Sequence, residues 1–257
     1  MSVLRDFYCD KLHVRVFDTR KSMGACAGQE VAAAMKQLLA EKDHINVMFA
    51  AAPSQNETLA VLIGDPEIDW SRVNAFHMDE YVGLEPIHPA GFRNFLNRAI
   101  FGLKDFKSVN LLNGNADDPK READRYSRLL QDNPLDICIL GVGENGHIAF
   151  NDPPVADFED PAFVKIVELE ERCRQQQVND GCFESLDQVP THALSVTIPG
   201  LTQATQMFCS VPAATKAEAI DHMIHDEIST ACPATILRRH SDARLYVDAD
   251  AGKHIMD

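Results

Sequence analysis

Short apolar runs alternate with longer amphipathic ones along this chain, and the two periods predict where strands and helices lie. "LHVRVF" reads as a strand, and "TRKSMGACAGQEVAAAMKQLLAEK" behind it repeats its apolar residues at helical spacing. "INVMFAA" reads as a buried strand, followed by "SQNETLAVLIG", a helix opening on Ser54 and closing near Gly64. "RVNAFHM" is a third strand, "PAGFRNFLNRAIF" is helical and "SVNLL" is extended. "PKREADRYSRLL" is a charged surface helix with Pro119 in its first turn. "LDICILGV" is the most apolar strand, which predicts a central place in the sheet. The second half continues with "FVKIVEL" (strand), "ERCRQQQV" (helix), "HALSVT" and "TQMFCSV" (strands), "ATKAEAIDHMI" (helix) and "ARLYVDADA" (strand).

Strands alternating with helices predict an α/β fold with a mainly parallel sheet and helices on both faces. The length suits a single domain over residues 1–257, with no repeat, low-complexity run or linker to divide it. Ligands of such sheets bind beyond the carboxyl ends of the strands. The loops expected there are "AAPSQNE", "HMDEYVG", "GVGENGHIAFNDPP" and "SVPAATK".

Charge narrows the partners. A net charge of −15 argues against nucleic acid or an anionic membrane, since both reward Lys and Arg surfaces. A small anion stays allowed, because it needs only one local cationic pocket. The seven cysteines form no C-x-x-C pair and no short Cys/His cluster, a pattern of reduced thiols. The N-terminal "MSVLRDFYCDKLHVRVF" has no apolar core of signal-peptide length, and no segment approaches ~18 apolar residues. The expectation is a cytoplasmic protein. His222 and His225 stand at i,i+3 on a helix without a carboxylate–histidine cluster, and read as surface residues.

Gly141, Gly143 and Gly146 have the G-x-G-x-x-G spacing of a dinucleotide loop, but that motif needs a helix to begin at the third glycine. Pro153 and Pro154 forbid one, so the glycines read as hinges that let His147 face a cleft. A fold-back of the same segment would bring Asp152 to His147, a common way to prepare a general acid or base. A loop histidine bonded to backbone fits the same residues. The neighbouring "FHMDEYVGL" favours chemistry, because Asp79 and Glu80 follow a strand where carboxylates have no packing value.

With these residues in hand, the sequence resembles the glucosamine-6-phosphate deaminase/isomerase family, whose superfamily includes 6-phosphogluconolactonases. "FHMDEYVGL", "HPAGFRNFL", "VNLLNGNA", "GVGENGHIAFNDP", "VPTHALSVTIPGL" and "ATKAEAI" are similar to successive family segments over most of the chain. The resemblance implies a Rossmann-like, NagB-like fold and an enzyme that converts an amino-sugar phosphate to a ketose phosphate and ammonia. It implies no metal or other cofactor. By position, Asp79 would move the carbon-bound proton, and His147 would assist ring opening, oriented by Asp152 beside Asn145. Lys216 would meet the phosphate. Ser54, Gln55, Asn56, Glu57, Glu80, Gly146 and Arg174 are the further implied substrate contacts. The implied partner is a small sugar phosphate, with a homo-oligomer left open.

The chain departs from the family at several of these places. Asn145 stands for Asp, and Asp152 for Glu. The family's "P-T-G-G-T-P" phosphate loop is "PSQNET" here, Pro53 to Thr58, which loses two glycines and gains Glu57. The family's second phosphate cation falls near Cys182 or Phe183, leaving Arg174 as the nearest basic candidate. Of the family's activator-binding positions, Val155 and Phe163 have changed and Lys165 persists. The altered loop predicts poor binding of glucosamine-6-phosphate, with Gln55, Asn56 and Glu57 turned to sugar hydroxyls instead. A sugar-lactone hydrolase and a non-catalytic sugar-binding regulator are the rival readings, both disfavoured by the "MDEY" loop with Asp79, His147 and Asp152.

Overall fold

A computed structural model describes residues 2–256 of the chain. An antiparallel hairpin, β1 (Val3–Cys9) and β2 (Leu12–Phe17), precedes the long helix α1 (Arg20–Glu41). Then come β3 (Ile45–Phe49), α2 (Asn56–Gly64), β4 (Val73–His77), a short β5 (Asp79–Tyr81) and α3 (Phe92–Leu96), which runs on as a π-helical turn, Asn97–Phe101. β6 (Ser108–Asn110), α4 (Pro119–Asp132), β7 (Ile137–Leu140), β8 (Val164–Glu168), α5 (Glu171–Asn179) and β9 (His192–Val196) follow. The chain closes with α6 (Ile198–Thr202), β10 (Gln206–Val211), α7 (Ala217–His225) and β11 (Ala243–Asp248).

Eight strands form one sheet in the order β1-β2-β11-β10-β7-β3-β4-β6, parallel throughout except for the β1–β2 hairpin. Its inner strands β3, β4, β7 and β10 are buried on both faces. Cys138 and Leu140 of β7 enter one core layer, with Leu12, Val14, Met48, Cys209 and Leu245, while Ile137 and Ile139 enter the other, with Val47, Phe49, Phe208 and Tyr246. Burial on both sides is why these segments read as continuous apolar runs. Each fully buried aliphatic side chain contributes about 1.5–3 kcal/mol of transfer free energy to the layers. As the apolarity of "LDICILGV" predicts, β7 lies in the middle.

Two strands expected in this sheet belong elsewhere. β8 and β9 pair antiparallel with β5 in a separate sheet of three strands, order β5-β9-β8. A small core of its own supports this sheet, with Tyr81, Phe92, Phe150, Val167, Cys173 and Phe183 in contact. β1 is an addition to the expected elements: its seven residues include none that is buried, so its side chains carry no core pattern.

Two glycines set the packing of α1 on α2. A Cβ on Gly24 would fall 2.2 Å from Glu57 Cβ, and one on Gly28 would fall 2.5 Å from Val61 Cβ. Only glycine lets the helices approach this closely. The contact carries Arg20, in the first turn of α1, to the turn that opens α2.

Candidate active site

Along the large sheet the chain moves outward through β4 and β6 on one side of β3, and through β7, β10 and β11 on the other. The loops after β3 and β7 therefore diverge, and a crevice opens at that switch point. A cavity of about 360 Å³ lies there, lined by Ala50–Ser54 after β3, Met78 and Asp79 after β4, Gly141–Gly143 and His147 after β7, and Pro212, Ala213, Thr215 and Lys216 after β10. The four loops expected to carry the chemistry meet in one place.

The glycine loop turns without starting a helix, as its prolines require. Gly143 has no room for a side chain, because a Cβ would sit 2.1 Å from the His147 ring. His147 Nδ1 lies 2.7 Å from Asn145 Oδ1 and 2.9 Å from Asp152 Oδ1. Both partners accept, so Nδ1 carries the ring proton and Nε2 is the nitrogen left for the cavity. Asn145 also donates through Nδ2 to Asp152 Oδ1 at 3.0 Å and to Glu170 Oε2 at 2.5 Å. The backbone N–H of Glu170 reaches Asp152 Oδ2 at 3.2 Å. Burial alone would push the Asp152 carboxyl up, but the bonds from His147, Asn145 and Glu170 hold it below the ordinary range. The shorter Asp side chain at 152 thus reaches the histidine.

Asp79 is the contrasting carboxylate. It lines the cavity, is buried, and takes no hydrogen bond or ion pair from the described residues. Burial pushes its carboxyl well above the ordinary range, and the charge of Glu80 adds to the effect. Lys216 is the third member. Only 9% exposed, its ammonium has no partner among the described residues, and burial pulls it below the ordinary lysine range. Two unpartnered charged groups facing one cavity are what a ligand with a cationic or acidic proton and a separate anion would need.

The family model of glucosamine-6-phosphate isomerases/6-phosphogluconolactonase matches residues 18–247. The chain belongs to this family. A glucosamine-6-phosphate deaminase of Exiguobacterium sibiricum is 37% identical over 190 residues, covering 74% of this chain and 73% of that protein. One from Bacillus cereus (strain B4264) is 34% identical over 224 residues, covering 83% and 84%. The solved structure of a monomeric glucosamine-6-phosphate deaminase matches at TM-score 0.85 and 28% identity, over 94% of this chain and 99% of that one. The 6-phosphogluconolactonase of Thermotoga maritima matches over 93% and 100% at TM-score 0.74, and at 18% identity it shares the fold alone. This member of the isomerase/lactonase family is therefore an enzyme by descent.

Several expected substrate contacts lie elsewhere. Glu80 faces away from the cavity: its carboxylate accepts the N–H groups of Tyr81, Phe92 and Arg93 at 3.0, 3.1 and 3.0 Å, closing the N-terminus of α3. Gln55 is fully buried beneath the loop, where Nε2 donates to Leu140 O at 3.2 Å and Ser210 O at 3.3 Å, bridging the ends of β7 and β10. Asn56 is exposed on the outer side of α2 and does not line the cavity. Glu57 is held by Arg20 at 2.7 Å. Gly146 serves packing: its φ is +83°, and a Cβ there would meet Cys232 Sγ at 2.6 Å. Arg174 donates to the carbonyls of Leu186 and Val189 at 2.6 and 2.9 Å, holding the segment between α5 and β9. Ser54 alone of the "SQNE" run lines the cavity.

Other residues in the wall had no sequence signal. Arg20 and Arg98 bring guanidinium groups, and Gln176, Gln177 and Asp180 come from α5 and the turn after it, beside Cys182. Ala213 holds φ +86°, a region that L side chains rarely adopt, and both carboxylate oxygens of Asp248 accept its N–H at 3.1 Å. The ligand atoms of His147, Asp152 and Cys173 lie within 4.8 Å of one another, but burial and Asp152 push the Cys173 thiol well up, away from the thiolate that binds metal. Lys165 is tied to Val155 O and to Asp160 at 2.6 and 2.8 Å. His222 and His225 are exposed and each bonds an aspartate at 2.8 Å. Among the described residues, no helix is long and apolar enough to cross a membrane.

Proposed function

We propose that this chain is an amino-sugar-phosphate deaminase/isomerase acting on a glucosamine-6-phosphate-like substrate. The observation that carries the reading is an unpartnered buried carboxylate, Asp79, lining the same cavity as the His147–Asp152 pair and the unpartnered Lys216. His147 Nε2 exchanges a proton at the ring oxygen, giving the open-chain 2-amino aldehyde. Asp79 takes the C2 proton as a carboxylate and returns a proton to C1. The resulting C2 imine adds water and loses ammonia, leaving a ketose phosphate. Burial makes Asp79 a stronger base than an ordinary carboxylate, and Asp152 stabilises the imidazolium that forms on His147. Lys216 holds the phosphate. Relatives named glucosamine-6-phosphate deaminases, at 34% and 37% identity, support the substrate class.

The test is ammonia release from a panel of hexosamine 6-phosphates, free hexosamines and a sugar-phosphate lactone. Ammonia and a ketose 6-phosphate from glucosamine-6-phosphate is the expected result. Lactone hydrolysis without ammonia release from any hexosamine phosphate would overturn it in favour of the lactonase branch of the family.

A further inference from the structure

The wall around Ser54 offers little backbone to an anion. The N–H of Gln55 bonds Ala52 O at 3.0 Å, and that of Asn56 bonds Pro53 O. Pro53 has no N–H at all. With these two N–H groups bonded and Pro53 lacking one, the turn offers an anion fewer amides than a glycine-rich loop does, and side chains supply the positive charge.

Arg20 is built to do so. Its Nε donates to Glu57 Oε1 at 2.7 Å and its Nη2 to Pro53 O at 2.5 Å, while Nη1 has no partner among the described residues. Two fixed bonds orient the guanidinium, and the free nitrogen belongs to a residue that lines the cavity. Glu57 is then a positioning residue, not an obstacle to the anion. Lys216, nine-tenths buried and without a partner among the described residues, lines the same cavity. Gln55 joins these walls, since one amide group bonds both Ser54 Oγ and Ser210 O in the strand that leads to Lys216. Arg98 lines the cavity too, but it is exposed and its Nη2 is turned to Pro89 O.

We infer that Arg20, held by Glu57, is the second cation of the anion subsite and that it works with Lys216 and Ser54 to bind the phosphate of a sugar phosphate. This rests on the sugar-phosphate reading above. It assigns to α1 a recognition role that sequence reasoning had sought in Arg174.

The purified enzyme tests this in two independent ways: steady-state kinetics with glucosamine-6-phosphate, and calorimetric binding of inorganic phosphate, which needs no turnover. Arg20→Ala should raise KM about tenfold or more, with kcat within about twofold, and weaken phosphate binding by a similar factor. Arg20→Lys should recover part of the loss. Glu57→Gln should raise KM less than Arg20→Ala does, because the guanidinium persists without its anchor. Circular dichroism establishes that each variant is folded. A folded Arg20→Ala enzyme with unchanged KM and unchanged phosphate binding overturns the inference, as does a KM loss seen in Arg98→Ala and absent from Arg20→Ala. If no hexosamine phosphate releases ammonia, the activity proposal fails separately, and loss of phosphate binding in Arg20→Ala still sustains the subsite.

Discussion

Asp79 exposes a conflict between stability and chemistry in a single side chain. Its carboxyl is pushed well above the ordinary range by burial, with Glu80 contributing, so the folded state holds this proton more tightly than the unfolded chain does. Its contribution to stability is complete below the unfolded value of about 3.9 and declines as pH rises toward the folded value. Asp79→Asn removes that decline. The variant should be more stable than wild type at pH 7, by roughly 0.5–2 kcal/mol, and melt at a higher temperature, with the two nearly equal at pH 4. It should also lose about two orders of magnitude or more in turnover, and cease to wash deuterium out of C2. A variant that melts lower at pH 7, or keeps full exchange at C2, contradicts this account. Asp152 has the opposite sign. Its folded value is depressed, so it stabilises the protein above the unfolded value and loses that contribution as pH falls through the folded one.

At the scale of elements, the α1–α2 contact couples packing to recognition. Gly24→Ala would force a methyl into Glu57 Cβ, and overpacking of this kind costs about 1–3 kcal/mol. Because Glu57 holds Arg20, the same change should also raise KM for a sugar phosphate. Gly64→Ala, at the end of α2 with open space around it, should be neutral or mildly stabilising. Equal melting temperatures and equal KM values for the two variants would show that the helices shift freely. Elements also show what a sequence reveals. β7 and the helices α1 and α4 announce themselves through apolar runs, spacing and caps, and all three stand where that pattern put them. β1 is invisible because none of its side chains is buried, and β5 because three residues carry no period. The His147–Asp152 pair was legible because its members stand only five positions apart in a loop, a distance that a local fold-back closes. Arg20 was not, since it reaches Glu57 across 37 positions of chain through a helix crossing that only tertiary structure reveals. Glu80 shows a related limit: a carboxylate beside one that lines the cavity can serve a helix end as readily as a substrate.

For the whole molecule, the net charge of −15 opposes the local cations of the cavity. An approaching sugar phosphate is repelled at long range and attracted only near Arg20 and Lys216. Salt weakens the first effect more, because the Debye length falls from about 30 Å at 0.01 M to about 10 Å at 0.1 M while buried contacts are screened less. Over that range kcat/KM for a sugar phosphate should rise about twofold or more before falling at higher salt. A steady fall from the lowest salt onward would mean that the cavity's own cations dominate the field throughout.

The strand order has a consequence in time as well as in space. β2 meets the rest of the large sheet only through β11, the last strand among the described residues, which lies between β2 and β10. During synthesis the β1–β2 hairpin therefore waits, with one edge unsatisfied, until residues 243–248 have been made. The same late strand carries Asp248, whose carboxylate accepts the N–H of Ala213 and so fixes the turn that presents Lys216. A nascent chain stopped before Ala243 would leave two sheet edges bare and the anion corner unformed. Such edges are the surfaces on which unfinished chains find each other, so this topology makes the arrival of β11 the event that covers both edges and fixes the turn before Lys216.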